Sequence, residues 1–469
     1  MRFIEELKFI GLFIISIVIQ YFFPTVISQV YFGILLILFL ISKLDFSYFW
    51  VIFFWLLFTS PGYLFYDLGI YKLPTLSIPG MGREIFYGEI FTILLIIKII
   101  FQSVKNRRIF YSSPLLGIII YAIILLIVGL FSGSSILTVL KSIRFFIPLL
   151  LLLFIPRIVP YSRFLPMVQL MFVSVFVLVF AQMYSIVMGE PLAAVLGETQ
   201  MMFSGVELDD KSRVFDVTQG AVRVIFGAYL LYISLLFSFI LLLDKNHSYK
   251  SKYFIIITFL SAFSIFMSAT RGWIIAIVFI IFGFSLIAFK KFSKSLLIGV
   301  MFFFVLLLIP KINMQISNAY ERTLTIESLI EGDLTADGTL SRLTERGPKV
   351  MEKFYERPIF GFGFSEEYYE FQDVHVGNQT LLLNGGILGY ILYLFFIFYL
   401  LYKLYKFYDI FNDKSFIIMI FGVIGIFIVH SSSTMVFGYS LRVETAISLS
   451  ILFFMSDYLL YKNQQLYRK

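Results

Sequence analysis

An all-α, polytopic transmembrane bundle of about 12–14 spans is the fold this sequence predicts. Two observations carry that expectation. The chain of 469 residues is 60% hydrophobic and only 14% charged, too little charge to cover a soluble domain of that length. Apolar runs long enough to cross a bilayer recur from end to end, and no soluble domain of ordinary size fits between them.

The elements follow in order. Phe9 to Phe23 is apolar like a signal sequence. It lacks a small-residue cleavage site and further spans follow at once, so it reads as a retained first helix. About fourteen spans are expected, centred near Ile17, Leu35, Phe54, Ile93, Ile120, Leu149, Val175, Ser234, Thr258, Val278, Phe303, Tyr393, Val423 and Ser450. Pro61-Gly62 interrupts the third. N-terminal membrane helices occupy 1–188, an external loop 189–220, and membrane helices with a tight turn at Arg271 residues 221–310. A long external loop with a surface helix fills 311–378 before the twelfth span, and C-terminal membrane helices fill 379–469.

Charge sets the sides. The net charge of +8 gathers as lysine and arginine in short loops, which fits retention in the cytoplasm and gives no reason to expect nucleic acid. These loops carry Lys43; Lys105 to Arg108; Arg157 and Arg163; Lys245 to Lys252; Lys290-Lys291; Lys403 to Lys414; and the tail from Lys462. They fall at every second loop, so both termini are expected in the cytoplasm. Tyr66 to Arg83, Gly189 to Gln219, the turn at Thr270-Arg271-Gly272, Lys311 to Asn378 and Ser431 to Tyr439 then face outward. Chemistry on that side lacks ATP and nucleotide sugars, so a transferred group must arrive already activated and carried in the lipid. The chain has no cysteine, which excludes disulfides and thiolate metal sites.

Few residues can carry chemistry. Of three histidines, His247 sits in a basic loop, and His430 ends the thirteenth span, where it could bond Ser431 to Ser433. His375 precedes a helix whose start is marked by Asn378 and Thr380. An imidazole there could act as a general base, or simply be satisfied at a helix entry by water or backbone. Arg271 stands between two apolar spans. It either snorkels to headgroups or holds a phosphate or diphosphate with its guanidinium fork. Arg223 invites the same two readings. Lys141 and Arg144 lie within the sixth span with no partner named by the sequence.

Leu340 to Arg357 reads as a helix on the membrane surface, kinked or split at Gly347-Pro348. Arg342, Arg346, Lys349 and Lys353 recur at helical spacing on one face. Glu345, Glu352 and Glu356 run beside them, so a salt-bridged surface accounts for most of these charges. Asp209-Asp210 and the Asp333 to Asp337 stretch are isolated acidic loops, and no metal or other cofactor is expected.

Together these segments resemble the bacterial O-antigen ligase and polymerase superfamily over roughly Arg223 to Leu401. The family's Ser/Thr-x-Ser/Thr-Arg-Gly turn is matched by Ser268-Ala269-Thr270-Arg271-Gly272. Its pre-motif helix and Pro-x-x-Gly-x-Gly turn look like Arg346 to Gly363. Its His-Asn motif with a glycine-rich helix start is matched at His375, Gly385, Gly386 and Gly389. The chain departs at Val376 and Asn384, as a divergent member would.

The resemblance implies a membrane glycosyltransferase acting on an undecaprenyl-diphosphate-linked glycan. Arg271 and His375 would be catalytic, the arginine holding the diphosphate and the histidine activating an acceptor hydroxyl. Arg223, Arg342 and Arg346 would bind substrate, with no metal. Acceptors would be a second lipid-linked glycan (polymerase, slightly favoured), a lipid A core (ligase) or, third because no extra external domain follows the last span, a protein. The expected home is the bacterial inner membrane. A transporter or flippase of the same lipid is the alternative. It would predict two similar halves with broken helices, and no internal repeat is evident.

Overall fold

The computed structural model describes residues 2–42, 47–59, 75–77, 84–101, 109–161, 164–189, 202–203, 206–207, 216–222, 227–243, 251–330, 342–432 and 434–467. They form α1 (Arg2–Phe22), α2 (Thr25–Ile41), α3 (Ser47–Thr59), α4 (Tyr87–Phe101), α5 (Ser112–Phe131), α6 (Ile136–Phe146) and, after a 3-10 turn, α7 (Leu151–Ile158). Then follow α8 (Phe164–Met188), α9 (Ala228–Leu243), α10 (Ser251–Met267), α11 (Arg271–Leu307) and α12 (Pro310–Ile330). A π-turn (Arg342–Arg346) leads into α13 (Gly347–Phe354), α14 (Glu366–Phe371), α15 (Gly377–Phe411), α16 (Ser415–Ser432) and α17 (Val443–Tyr467). Two short antiparallel β-pairs complete it, Thr75–Ser77 with Glu84–Phe86 and Met202–Phe203 with Val206–Glu207.

This is an all-helical membrane protein. Among the described residues six helical segments are long and apolar enough to cross a bilayer: Ser112–Phe131, Ile136–Arg157, Met167–Met188, Arg271–Phe289, Gly377–Phe411 and Ser415–Ser432. Their outer faces are apolar. Leu116, Ile120, Ile123, Ile127 and Phe131 form an exposed stripe on α5, and Ile387, Ile391, Phe395, Phe398, Tyr402 and Tyr405 another on α15. Steps of three and four residues along one helix face, exposed yet apolar, are what a helix shows to lipid rather than to water.

By contacts the chain divides into two units. The first comprises Met1–Arg107, Ile158–Ser268 and Ser293–Ala319. Within it α9 is buried almost all round, as its uniformly apolar sequence requires, and packs beside α10 and α8. Polar ties join its elements: Gln182 donates from Nε2 to the Ser264 carbonyl, and Gln315 pairs with both the N–H and the C=O of Val222 at 2.9 Å.

The second unit comprises Arg108–Arg157, Ala269–Phe292 and Tyr320–Lys469. Its centre is a break in α15 at Gly386, where φ is 63° and ψ −171°. The helical ladder is interrupted there, and the segment Pro358 to Gly363 takes its place. Phe362 and Gly363 donate their N–H groups to the carbonyls of Leu383 and Asn384, both at 2.9 Å. Ile387 and Leu388 donate to the carbonyls of Pro358 and Ile359. The Asn384 side chain donates to the Gly363 carbonyl at 2.8 Å, and Tyr121 on α5 donates to the Gly385 carbonyl at 2.7 Å. On its far side the clasp reaches α5, with Phe364 N–H on the Leu125 carbonyl.

Glycine is required at these contacts. A Cβ on Gly386 would lie 2.2 Å from the Ile359 carbonyl oxygen, and one on Gly361 would lie 2.6 Å from those of Leu383 and Asn384. Both residues also have positive φ, the region where side chains are strained.

One junction is tighter than expected and one loop is shorter. Between the tenth and eleventh spans the helix breaks at Ala288, whose φ of −138° and ψ of 46° are non-helical, within a few residues of the junction expected at Lys290-Lys291. The start of the long polar segment is itself helical: α12 buries Ile312, Gln315 and Ala319, steps of three and four on one face.

Replacing Gly386 with Ala is expected to cost about 3 kcal/mol, combining backbone strain with overpacking against Ile359. Gly117→Ala on α5, whose Cβ position meets open space, should be neutral or slightly stabilising. Thermal unfolding in detergent measures both, and equal midpoints would refute the clasp as a structural constraint.

Candidate functional site

The site is assembled from three backbone segments of the second unit. They are the entry to α15 (373–380), the end of α16 with the residues after it (430–437), and the π-turn with α13 (342–354).

Asp373 organises the first. Its Oδ1 accepts the backbone N–H of His375 at 2.8 Å, a local turn of the kind aspartate favours. Thr380 closes the loop from the first turn of α15, donating to the Asp373 carbonyl at 2.7 Å and accepting its N–H at 3.1 Å. His375 is thereby fixed, half-buried, two residues before the helix.

The π-turn brings one arginine to this loop and a second to the end of α16. Arg346 forks onto the Asp373 carboxylate through Nε and Nη2, the latter at 2.9 Å. Arg342 donates from Nη1 to the Ser432 carbonyl at the end of α16. The turn depends on Gly347, since a Cβ there would sit 2.6 Å from the Arg342 carbonyl oxygen. π-turns of this sort recur at functional sites. Pro348 follows in the first turn of α13, where its missing N–H costs nothing.

The rest of the basic face meets the same partner strand of chain. Lys353 bridges Glu356 at 2.7 Å and Glu367 at 2.6 Å, and its ammonium lies over the Phe362 and Phe371 rings. Hydrogen bonds from Glu356, then Glu367, hold the Lys353 ammonium above the ordinary lysine range. A raised lysine contributes stability that is full below its unfolded value of ~10.4 and lost only as pH rises through the folded one, so this clip holds at neutral pH. Lys349 lies over Phe371 at 5.7 Å. Arg346, Lys349 and Lys353 thus meet α14 and the Asp373 loop, while Arg342, across the π-turn, meets the end of α16. Burial pushes the Tyr369 phenol up, so it stays a donor to Ser142 at 2.8 Å.

His430 has a different environment from the one its sequence suggested. It is only 1% exposed, and its Nδ1 accepts the N–H groups of Val436 and Phe437 at 3.1 and 3.3 Å, not the adjacent serines. Ser431 instead donates to the Phe427 carbonyl and accepts from Asn378 at 3.0 Å. Nδ1 therefore carries no proton, and the neutral ring bears it on Nε2. Gly377, the first residue of α15, passes so close that a Cβ would lie 2.4 Å from the His430 carbonyl oxygen. His430 thus pins the chain that follows α16, and the α15 entry packs against its carbonyl.

Arg271 opens α11, after a turn in which Ala269 adopts φ 51°. Its Nε donates to the Arg322 carbonyl at 3.0 Å. α11 and α16 run antiparallel: Lys414 reaches the Ile287 carbonyl, and Phe421 packs on Phe279 and Gly283. Continuing that register puts Arg271 about level with His430, at the same end of the helix pair as the His375 loop. Arg144 is half-buried on α6. Arg223, His247, Asp209-Asp210 and the Asp333 to Asp337 stretch lie outside the described residues, as does the Lys141 side chain. Among the described residues no group of three His, Asp or Glu side chains is placed to hold a metal ion.

Sequence reasoning missed Asp373. The Asp-Val-His spacing was the available signal, an acidic residue able to accept the backbone N–H two positions on. No known family model matches this chain, and no curated protein is similar to it.

Replacing His430 with Leu should orphan two buried amides and cost about 2–4 kcal/mol. His430→Asn can offer Oδ1 in place of Nδ1 and should recover most of that loss. Unfolding midpoints that are equal for the two variants would contradict the role given to Nδ1.

Proposed function

We propose that the protein is a membrane glycosyltransferase of the O-antigen ligase and polymerase type. In this reading it moves a glycan from undecaprenyl diphosphate to an acceptor hydroxyl on the outer face of a bacterial cytoplasmic membrane. The observation that carries the proposal is the meeting of Arg346 and His375 on Asp373 at the mouth of a membrane span, with Arg342 on the Ser432 carbonyl and Arg271 toward the same helix-pair end. The sequence motifs supply the chemistry, and the loop charges supply the topology of about fourteen crossings with both termini in the cytoplasm.

The reaction balances without an added reagent. His375 takes the proton of the acceptor hydroxyl, whose oxygen attacks the anomeric carbon. The bond to the diphosphate oxygen breaks, and the diphosphate leaves with its electron pair, giving inversion. Arg271 neutralises the charge building on that oxygen, assisted by Arg223. Arg342 and Arg346 line the same mouth. Arg346 spends Nε and Nη2 on Asp373, so Nη1 is its group for a substrate phosphate. A second lipid-linked glycan is the favoured acceptor, making the enzyme a polymerase of an O-antigen, capsule or exopolysaccharide, with a lipid A core next.

A flippase would use a broken helix, and α15 has one. Its interrupted backbone groups are nevertheless engaged by Pro358 to Gly363 and Tyr121, which leaves the break serving the fold rather than an ion or a sugar.

Purified protein given a synthetic undecaprenyl-diphosphate glycan tests this. His375→Ala should lower transfer by about 10²–10⁴-fold and Arg271→Ala by about 10²–10³-fold, with folding checked separately. Full activity in both variants would remove the assignment. Lengthened lipid-linked product without lipid A core selects the polymerase, and movement of substrate across vesicles with no new bond selects the flippase.

A further inference from the structure

The end of α5 and the first residues of the clasp enclose an open groove of about 360 Å³. That volume is within the range of small-ligand sites. Its walls are apolar: Val128, Phe131, Pro358, Ile359 and Phe360. Phe131 is 88% exposed, Ile359 58% and Phe360 49%, and Phe131 ends the apolar stripe that α5 turns outward. The groove therefore continues the lipid-facing surface of a membrane helix at the point where the helix stops.

Its polar end is one cation held in place. Arg357 donates from Nη1 to Ser132 Oγ, and its guanidinium lies 5.0 Å from the centre of the Phe362 ring. Ser132 Oγ in turn donates to the Val128 carbonyl at 2.9 Å, so its lone pair faces the arginine. Glu356, the nearest carboxylate in sequence, is bridged to Lys353 instead. No carboxylate lines the groove among the described residues.

We infer that this groove binds an anionic phospholipid, its phosphate on Arg357 and its hydrocarbon chain along Phe131, Ile359 and Phe360. A fixed guanidinium at the rim of an apolar trough, at the end of a membrane helix, matches that amphiphile. A zwitterionic headgroup would bring a second cation toward Arg357. The site is separate from the His375 loop, because Arg357 lies beyond the C-terminal end of α13 while Arg346 precedes its N-terminal end, and the eight residues of α13 between them span about 12 Å at helical rise. It does not depend on the transferase reading. A lipid seated there bridges α5 to the Pro358–Gly361 stretch and reinforces the clasp.

Native mass spectrometry of the protein released from detergent, with phosphatidylglycerol or phosphatidylcholine added, reads the site. Wild type should retain phosphatidylglycerol about tenfold more strongly than phosphatidylcholine, the worth of one charge-assisted hydrogen bond. Arg357→Gln should abolish that preference, Arg357→Lys should keep most of it, and Phe360→Ser should weaken both lipids. Lys403→Gln, far along α15, should change nothing. Circular dichroism of each variant checks that helix content is intact. An unchanged preference in Arg357→Gln, or equal retention of the two lipids by wild type, would overturn the inference. So would displacement of phosphatidylglycerol by undecaprenyl phosphate that is itself lost in Arg357→Gln, which would assign the groove to the prenyl carrier.

Discussion

The break in α15 at Gly386 is the constraint on which the second unit is built. Inside hydrocarbon there is no water to satisfy a backbone group released from a helix, and each such group costs several kcal/mol. A glycine in this conformation interrupts the ladder in a helix that otherwise reads as a membrane span. The structure answers with a second piece of backbone in almost strand-like apposition, two N–H groups given and two accepted, and a tyrosine hydroxyl for a further carbonyl. Such apposition is possible only at backbone-to-backbone distance, which is why Gly361, Gly363 and Gly129 recur at the contacts.

That constraint positions the polar machinery. Because Pro358 to Phe364 is fastened to both α15 and α5, α13 before it and α14 after it cannot shift independently. Lys353 and Arg346 then fasten α13 to the chain between Glu367 and Asp373. Glu366 carries the same organisation to α6, accepting from Thr138 at 2.9 Å near that helix's N-terminus, where a carboxylate is favoured. The loop bearing His375 is thus held by Arg346 through Asp373, and it leads into a helix whose first residue packs against His430. A base placed to within a fraction of an ångström needs such support from elements that do not move.

Much of this was legible in the sequence, and the remainder was not for identifiable reasons. Apolar runs announce membrane helices because burial and lipid exposure make the same demand on composition. Glycines at 361, 363, 385, 386 and 389 mark close approach, yet nothing local says that Gly386 breaks a helix rather than starting one. The π-turn at Arg342–Arg346 looks like plain helix, since five residues of shifted hydrogen bonding leave no pattern of their own. α12 was hidden by its polarity, though Ile312, Gln315 and Ala319 carry the helical step. His430 was misread because its partners, Val436 and Phe437, are backbone amides across a turn, and backbone amides have no letter in a sequence.

The charge balance around Asp373 joins fold and chemistry. Left alone, a carboxylate two residues from the proposed base would repel a diphosphate. Fixing His375 through Asp373 therefore carries an electrostatic cost in any anion-handling site. Arg346 removes that cost by neutralising the same carboxylate with a bidentate fork, the geometry in which arginine is strongest. Arg342 ties the turn to Ser432 through Nη1, and Arg271 holds the Arg322 carbonyl from α11. The Asp373–Arg346 pair is accordingly neutral even though its organising residue is an acid. Lysine in place of Arg346 would keep the charge but not the fork, and the loop would lose its orientation before it lost its sign. A base held by an acid whose own charge is cancelled can meet an anionic lipid without opposing it, and that is the physical reason to look for the reaction at His375.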